Sequence, residues 1–110
     1  MARDFQIPKR FQLYGHTITV DLVTKLRATH DITGCAIFRE NRIEVQPSVE
    51  GVERPRSQVE STFFHELVHW IFYLSNGSDE IKPELHEREG LVDRCASLLH
   101  QAITTMEFEE

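Results

Sequence analysis

Hydrophobic spacing divides the chain into two halves. In the first, apolar and polar positions alternate. Phe11-Gln12-Leu13-Tyr14 runs into Gly15, and His16-Thr17-Ile18-Thr19-Val20-Asp21-Leu22 follows with period two. That pattern predicts a hairpin or two short strands. Val23 to His30 fits a continuing strand or a short helix equally. Cys35-Ala36-Ile37-Phe38-Arg39 and Arg42-Ile43-Glu44-Val45-Gln46 flank Glu40-Asn41 and predict a second hairpin. Pro47 to Pro55 carries Pro, Ser, Gly and charges, so a loop is expected there.

In the second half the spacing becomes helical. Val59, Phe63, Phe64, Leu67, Val68, Trp70, Ile71, Phe72 and Leu74 form a nearly unbroken apolar run, and a helix that is apolar on almost every side is a buried one. Ser57-Gln58-Val59-Glu60 matches a capping box and Asn76-Gly77 a stop signal, which predicts a helix near Ser57 to Leu74. The run is too short and too interrupted to span a membrane. A last helix is expected over about Pro83 to Thr104, with Pro83 in its first turn and Leu85, Val92, Ala96, Leu99 and Ile103 as its apolar stripe. Strands followed by two helices point to the α+β class, and residues 1–110 are expected to form a single domain.

The buried helix contains three ionisable side chains that need partners, because unpaired buried charge costs several kcal/mol. They fall in His65-Glu66-Leu67-Val68-His69, the H-E-x-x-H pattern of zinc metallopeptidases. Two histidines four apart lie about 40° apart around a helix axis, at roughly 100° per residue. Their imidazoles can therefore reach one ion from the same face. Glu66 is placed to touch a water on that ion and act as general base.

A catalytic zinc usually takes three protein ligands and keeps one position for water. Glu89 stands in the apolar stripe of the last helix, four after Leu85 and three before Val92. A carboxylate there is anomalous unless it faces a cation, which makes Glu89 the preferred third ligand. Glu87 is the rival, on another flank with Leu91 and Leu98, and His86 is a further possibility. Asp93, one turn after Glu89, could hold the far nitrogen of a ligand histidine and fix its tautomer. The plainer reading is that Glu84, Glu87, Glu89 and Asp93 form a solvated acidic face near a helix N-terminus.

With these residues in view the chain resembles the gluzincins, the metallopeptidases whose third zinc ligand is glutamate. Nineteen residues separate His69 from Glu89, and Glu89-Gly90-Leu91-Val92-Asp93 repeats their Glu-x-x-x-Asp arrangement over a region from about Ser57 to Leu99. In size the chain is similar to the minigluzincins. The resemblance implies a small zincin-like domain, with a short antiparallel or mixed sheet over the active-site helix and a second, glutamate-bearing helix. It implies Zn²⁺ held by His65, His69 and Glu89, with Glu66 as base and acid, Asp93 in support, and a peptide or protein as substrate. An edge strand, at Arg42–Gln46 or its neighbour, would pair with that substrate. It also implies that the protein could be latent or self-inhibited. Larger gluzincins stabilise the oxyanion with a Tyr or His from a downstream subdomain, for which Tyr73, Tyr14, His86 and His100 are candidates without a motif. The alternative function is a latent or structural zinc-bearing interaction module.

Composition adds little to this picture. At 110 residues, 40% apolar and 27% charged, the chain is an ordinary globular one, and a net charge of −6 argues against a nucleic-acid backbone as partner. Cys35 and Cys95 show no C-x-x-C spacing, and the N-terminus lacks the apolar core of a signal peptide. A reduced cytoplasmic protein, with no membrane partner, is the expectation. Nothing in the pattern fixes the oligomeric state.

Overall fold

A computed structural model describes residues 6–24, 26, 32–75 and 89–109. The first two strands, β1 (Arg10–Leu13) and β2 (His16–Leu22), form the expected antiparallel hairpin. Its two-residue turn places Tyr14 at φ 53° and Gly15 at φ 81°. Two consecutive left-handed residues give a turn whose twist matches that of the strands it joins. The second hairpin is also present, as β3 (Gly34–Ile37) and β4 (Arg42–Val45), joined by a 3-10 turn at Phe38–Glu40 and a left-handed Asn41. β2 and β4 then pair in parallel, giving a mixed sheet of order β1-β2-β4-β3.

Two expectations need correction. The segment 47–55 is not simply a loop, because β5 (Ser48–Val49) and β6 (Val52–Glu53) make a minimal hairpin within it. Of the two places expected for the edge strand, Arg42–Gln46 or its neighbour, the structure takes the second: β4 lies between β2 and β3, and among the described residues β3 and β1 are the sheet's edges. The capping box at Ser57 does not form either. The helix α1 runs Arg56–Leu74 with Pro55 in the cap position and no side-chain cap. Pro55 holds φ at −51° and its carbonyl accepts from Gln58 and Val59, so the helix starts before Ser57 can cap it. Glu60 is buried instead, taking the Arg56 Nε at 3.0 Å and pairing with His100 Nε2 at 2.7 Å.

The second helix, α2, spans Glu89–Thr104. The expected start at Pro83, the stop at Asn76-Gly77, and the positions His86 and Glu87 lie outside the described residues, as does most of 25–31. Leu26, the described residue of that stretch, is buried.

α1 occupies the middle layer, which is why it is apolar all round. On one side Ile18, Val20, Ile43 and Val45 project from the sheet, and on the other Val92 and Ala96 project from α2. Phe63, Phe64, Val68 and Trp70 fill the space between. The indole Nε1 of Trp70 donates to the Arg42 carbonyl at 3.3 Å, tying the helix to β4. Among the described residues no helix is long and apolar enough to cross a membrane.

Candidate metal centre

Helical spacing sets His65 and His69 side by side on α1, with ring centroids 4.9 Å apart. Glu89, the first residue of α2, meets both. Its Oε2 lies 2.9 Å from His65 Nε2 and its Oε1 3.4 Å from His69 Nε2. One turn further along α2, Asp93 Oδ1 lies 2.7 Å from His65 Nδ1. The four side chains expected to converge therefore do so.

The spacing suits a cation. Ligand atoms placed tetrahedrally at about 2.0–2.1 Å from one ion are about 3.3 Å apart. The two contacts made by Glu89 bracket that distance, and one ligand atom from each of His65, His69 and Glu89 lies within 4.8 Å of the other two. Asp93 also constrains the proton positions. A neutral His65 that donates its Nδ1–H to Asp93 turns an Nε2 lone pair toward the Glu89 carboxylate. Two electron-rich atoms at such a distance need positive charge between them, from an added proton or a metal ion. Two imidazole nitrogens and a carboxylate oxygen are a donor set that divalent transition metals accept.

Glu66 stands beside this cluster at 8% exposure, and among the described residues nothing donates a hydrogen bond to it. Its carboxyl is held up at about 7, chiefly by burial, against the lowering effect of the neighbouring His65 and with a smaller rise from Glu89. The sign of the resulting pH dependence follows. Between the ordinary value of 4.5 and about 7 the folded chain keeps a proton on Glu66 that the unfolded chain has released. Metal-free protein should therefore lose stability as pH rises through that window, by roughly 3 kcal/mol at 1.4 kcal/mol per unit, and level off above it. Urea denaturation of metal-free wild type and Glu66→Gln from pH 4.5 to 7.5 checks this. Parallel curves for the two proteins would show that burial of Glu66 imposes no such cost.

The cleft that holds these groups lies between β3 and α1 and has a volume of about 760 Å³. Strand and helix approach closely at Gly34. A Cβ built there would sit 3.0 Å from Glu66 Oε2 and closer still to the Thr62 methyl. That methyl is held in place, because Thr62 Oγ1 donates to the Gln58 carbonyl at 3.0 Å and accepts from Arg54 Nη2 at 2.7 Å. Arg54 in turn donates to the Gln46 carbonyl, fastening the β4 end to α1. Gly34→Ala should accordingly destabilise by about 1–3 kcal/mol, the usual cost of overpacking. Adding Thr62→Ser, which deletes the methyl and keeps the hydroxyl, should restore part of the loss in a double-mutant cycle measured by denaturation. Equal stability of Gly34→Ala and wild type would show that the strand can back away from the helix.

β3 also presents backbone to the cleft. The Gln46 N–H bonds to the Thr33 carbonyl at 2.9 Å, which makes Thr33–Gln46 a hydrogen-bonded pair. Alternation along an antiparallel ladder then places Cys35 and Ile37 in bonded pairs with β4 and turns the N–H and C=O of Gly34 and Ala36 outward.

The oxyanion candidates are placed differently from one another. Tyr14 is 86% exposed at the first hairpin turn, outside the cleft lining. His100 is taken up by Glu60 at the α1–α2 interface. Tyr73 stands one turn beyond His69, stacked on Phe38. The residues sequence reasoning missed are Gly34, Thr62 and Phe38, which shape the cleft from segments that carry no motif. Cys35 lines the cleft as a free thiol whose pKa is raised by burial and by nearby Glu66 and Glu44, and Cys95, also free, packs against the core. No family model, curated protein or solved structure matches the chain.

Proposed function

We propose that the protein is a zinc-dependent peptidase, as the gluzincin resemblance implies. The observation that carries this reading is a buried carboxyl, Glu66, placed beside a His65-His69-Glu89 cluster of cation-binding dimensions and open to a cleft. When bound, zinc supplies a water that is nucleophilic near neutral pH and polarises a carbonyl oxygen.

The chain's own residues would do the rest. His65, His69 and Glu89 hold the ion. Asp93 keeps the Nδ1 proton of His65 and so leaves Nε2 available as a ligand. Gly34 and Ala36 offer outward N–H and C=O groups to an extended peptide, which adds to β3 as a strand. Glu66 takes a proton from the attacking water as its oxygen bonds to the carbonyl carbon. It then passes that proton to the amide nitrogen as the C–N bond breaks, releasing an amine and a carboxylate. A carboxyl with a pKa near the working pH is suited to both halves of that transfer. Two free cysteines accord with a cytoplasmic setting.

The alternative, a purely structural zinc module, is less well supported. Such a site has no use for a carboxyl kept buried next to its ligands, with no hydrogen-bond donor among the described residues. The test joins metal analysis to a broad peptide-cleavage screen with chelation and zinc readdition. One zinc per chain, with cleavage that is lost on chelation and restored by zinc, is the expected result. Stoichiometric zinc without any cleavage would favour the structural module, and absence of bound zinc would end both readings.

A further inference from the structure

The cleft is chemically different at its two ends. β3 and α1 run side by side, with Gly34 against Thr62 and Glu66 at one end and Phe38 against Trp70 and Tyr73 at the other. Near Thr62 the lining is mostly small and polar, from Thr33, Gly34, Ser61 and Thr62, with Ile32 beside them. Toward Phe38 it is apolar, from Ala36 and Phe38. Phe38 is held rigidly there. Its ring stacks on Tyr73 at 4.2 Å with an interplanar angle of 6°, and meets Trp70 edge-on at 5.0 Å. Trp70 is fully buried and hydrogen-bonded to β4, so the aromatic group is anchored in the core. Tyr73, 42% exposed, follows His69 by one helical turn and brings the group to the surface, backing Phe38 from outside the cleft lining.

We propose that this aromatic end is a side-chain subsite, so that the cleft selects peptides with a large apolar or aromatic residue on the N-terminal side of the scissile bond. This rests on the reading of the cleft as a peptidase site. The direction comes from β3. Gly34 and Ala36 each turn an N–H and a C=O outward, and of the two directions a peptide could take along them the antiparallel one pairs more stably per residue. A peptide antiparallel to β3 has its N-terminal side toward Phe38 and its C-terminal side toward Thr62. A ring or long aliphatic chain is matched by the rigid apolar wall at the first end. The second end, narrowed by the Gly34–Thr62 approach, accepts small residues.

Two measurements test the subsite separately from the chemistry. In the first, zinc-loaded Glu66→Gln is titrated with acetylated, amidated hexapeptides that carry Phe or Ser at each position in turn. Phe on the N-terminal half should bind about 10-fold or more tighter than Ser, the range for filling an apolar pocket. Phe38→Ala or Tyr73→Ala, added to the same background, should bring the ratio close to one. The Tyr73 change removes a half-exposed ring and tests the subsite even if the Phe38 change prevents folding. In the second, wild type cleaves a random peptide library and mass spectrometry reads the residues on each side of the cut. Binding with this preference but no cleavage would sink the peptidase reading and leave the subsite standing. Cleavage without the preference, or with it on the C-terminal side, would overturn the subsite and leave the peptidase reading intact. No difference between Phe and Ser peptides in binding would also overturn it.

Discussion

Replacing Glu66 by glutamine should slow peptide hydrolysis by about 10²- to 10⁴-fold, the contribution of a positioned general base, without lowering the zinc content. Glutamine keeps the shape of the side chain, so the wall beneath Gly34 is undisturbed, but it cannot accept a proton from water. The ligands His65, His69 and Glu89 are untouched, and so is the hydrogen bond from His65 to Asp93. The loss should therefore fall on kcat, with KM for a peptide changed little. Rates on a cleaved peptide, set beside zinc measured by elemental analysis on the same samples, decide the matter. A variant that retains full activity would assign the proton transfer to another group.

Glu89→Ala should weaken zinc binding by more than about 100-fold. Removal of a partner that only orients a ligand typically costs 10- to 100-fold, and Glu89 would be a ligand itself. Its two oxygens also meet both His65 Nε2 and His69 Nε2, at 2.9 and 3.4 Å. Asp93→Ala should cost less, about 10- to 100-fold, because His65 would stay beside the ion while losing the acceptor for its other nitrogen. Chelator competition at fixed pH orders the two variants. Equal affinities for Glu89→Ala and wild type would move the third ligand elsewhere in the chain.

The local parts of this site were legible in the sequence because helical geometry is fixed. His65 and His69 had to share a face once α1 was recognised, and a carboxylate in the apolar stripe of α2 had to face something other than core. The class of fold was legible for a similar reason, since both hairpins announce themselves by alternation. What was hidden depends on contacts between distant segments. Gly34 meets Thr62 and Glu66 only when β3 is laid over α1, and nothing around Gly34 in the chain marks that approach. The identity of the edge strand depends on the parallel pairing of β2 with β4, which alternation within each strand does not encode. Glu60 was misread because Ser57 and Glu60 have capping-box spacing, while Pro55 had already set the start of the helix. Its partner His100 lies forty residues on and could not be paired with it by pattern.

That pairing has a consequence for how α2 behaves when the cluster is emptied. The helix is pinned at two points, by Glu60 at His100 and by the histidines of α1 at Glu89 and Asp93. The pins are eleven residues apart, or about 16 Å along a helix. Only the second depends on charge balance at the His65-His69-Glu89 cluster. If that cluster holds zinc as proposed, stripping the ion should leave the helix hinged at its C-terminal pin. Amide protection would fall first around Val92 and Asp93 and persist near His100, a gradient that native-state hydrogen exchange would resolve residue by residue.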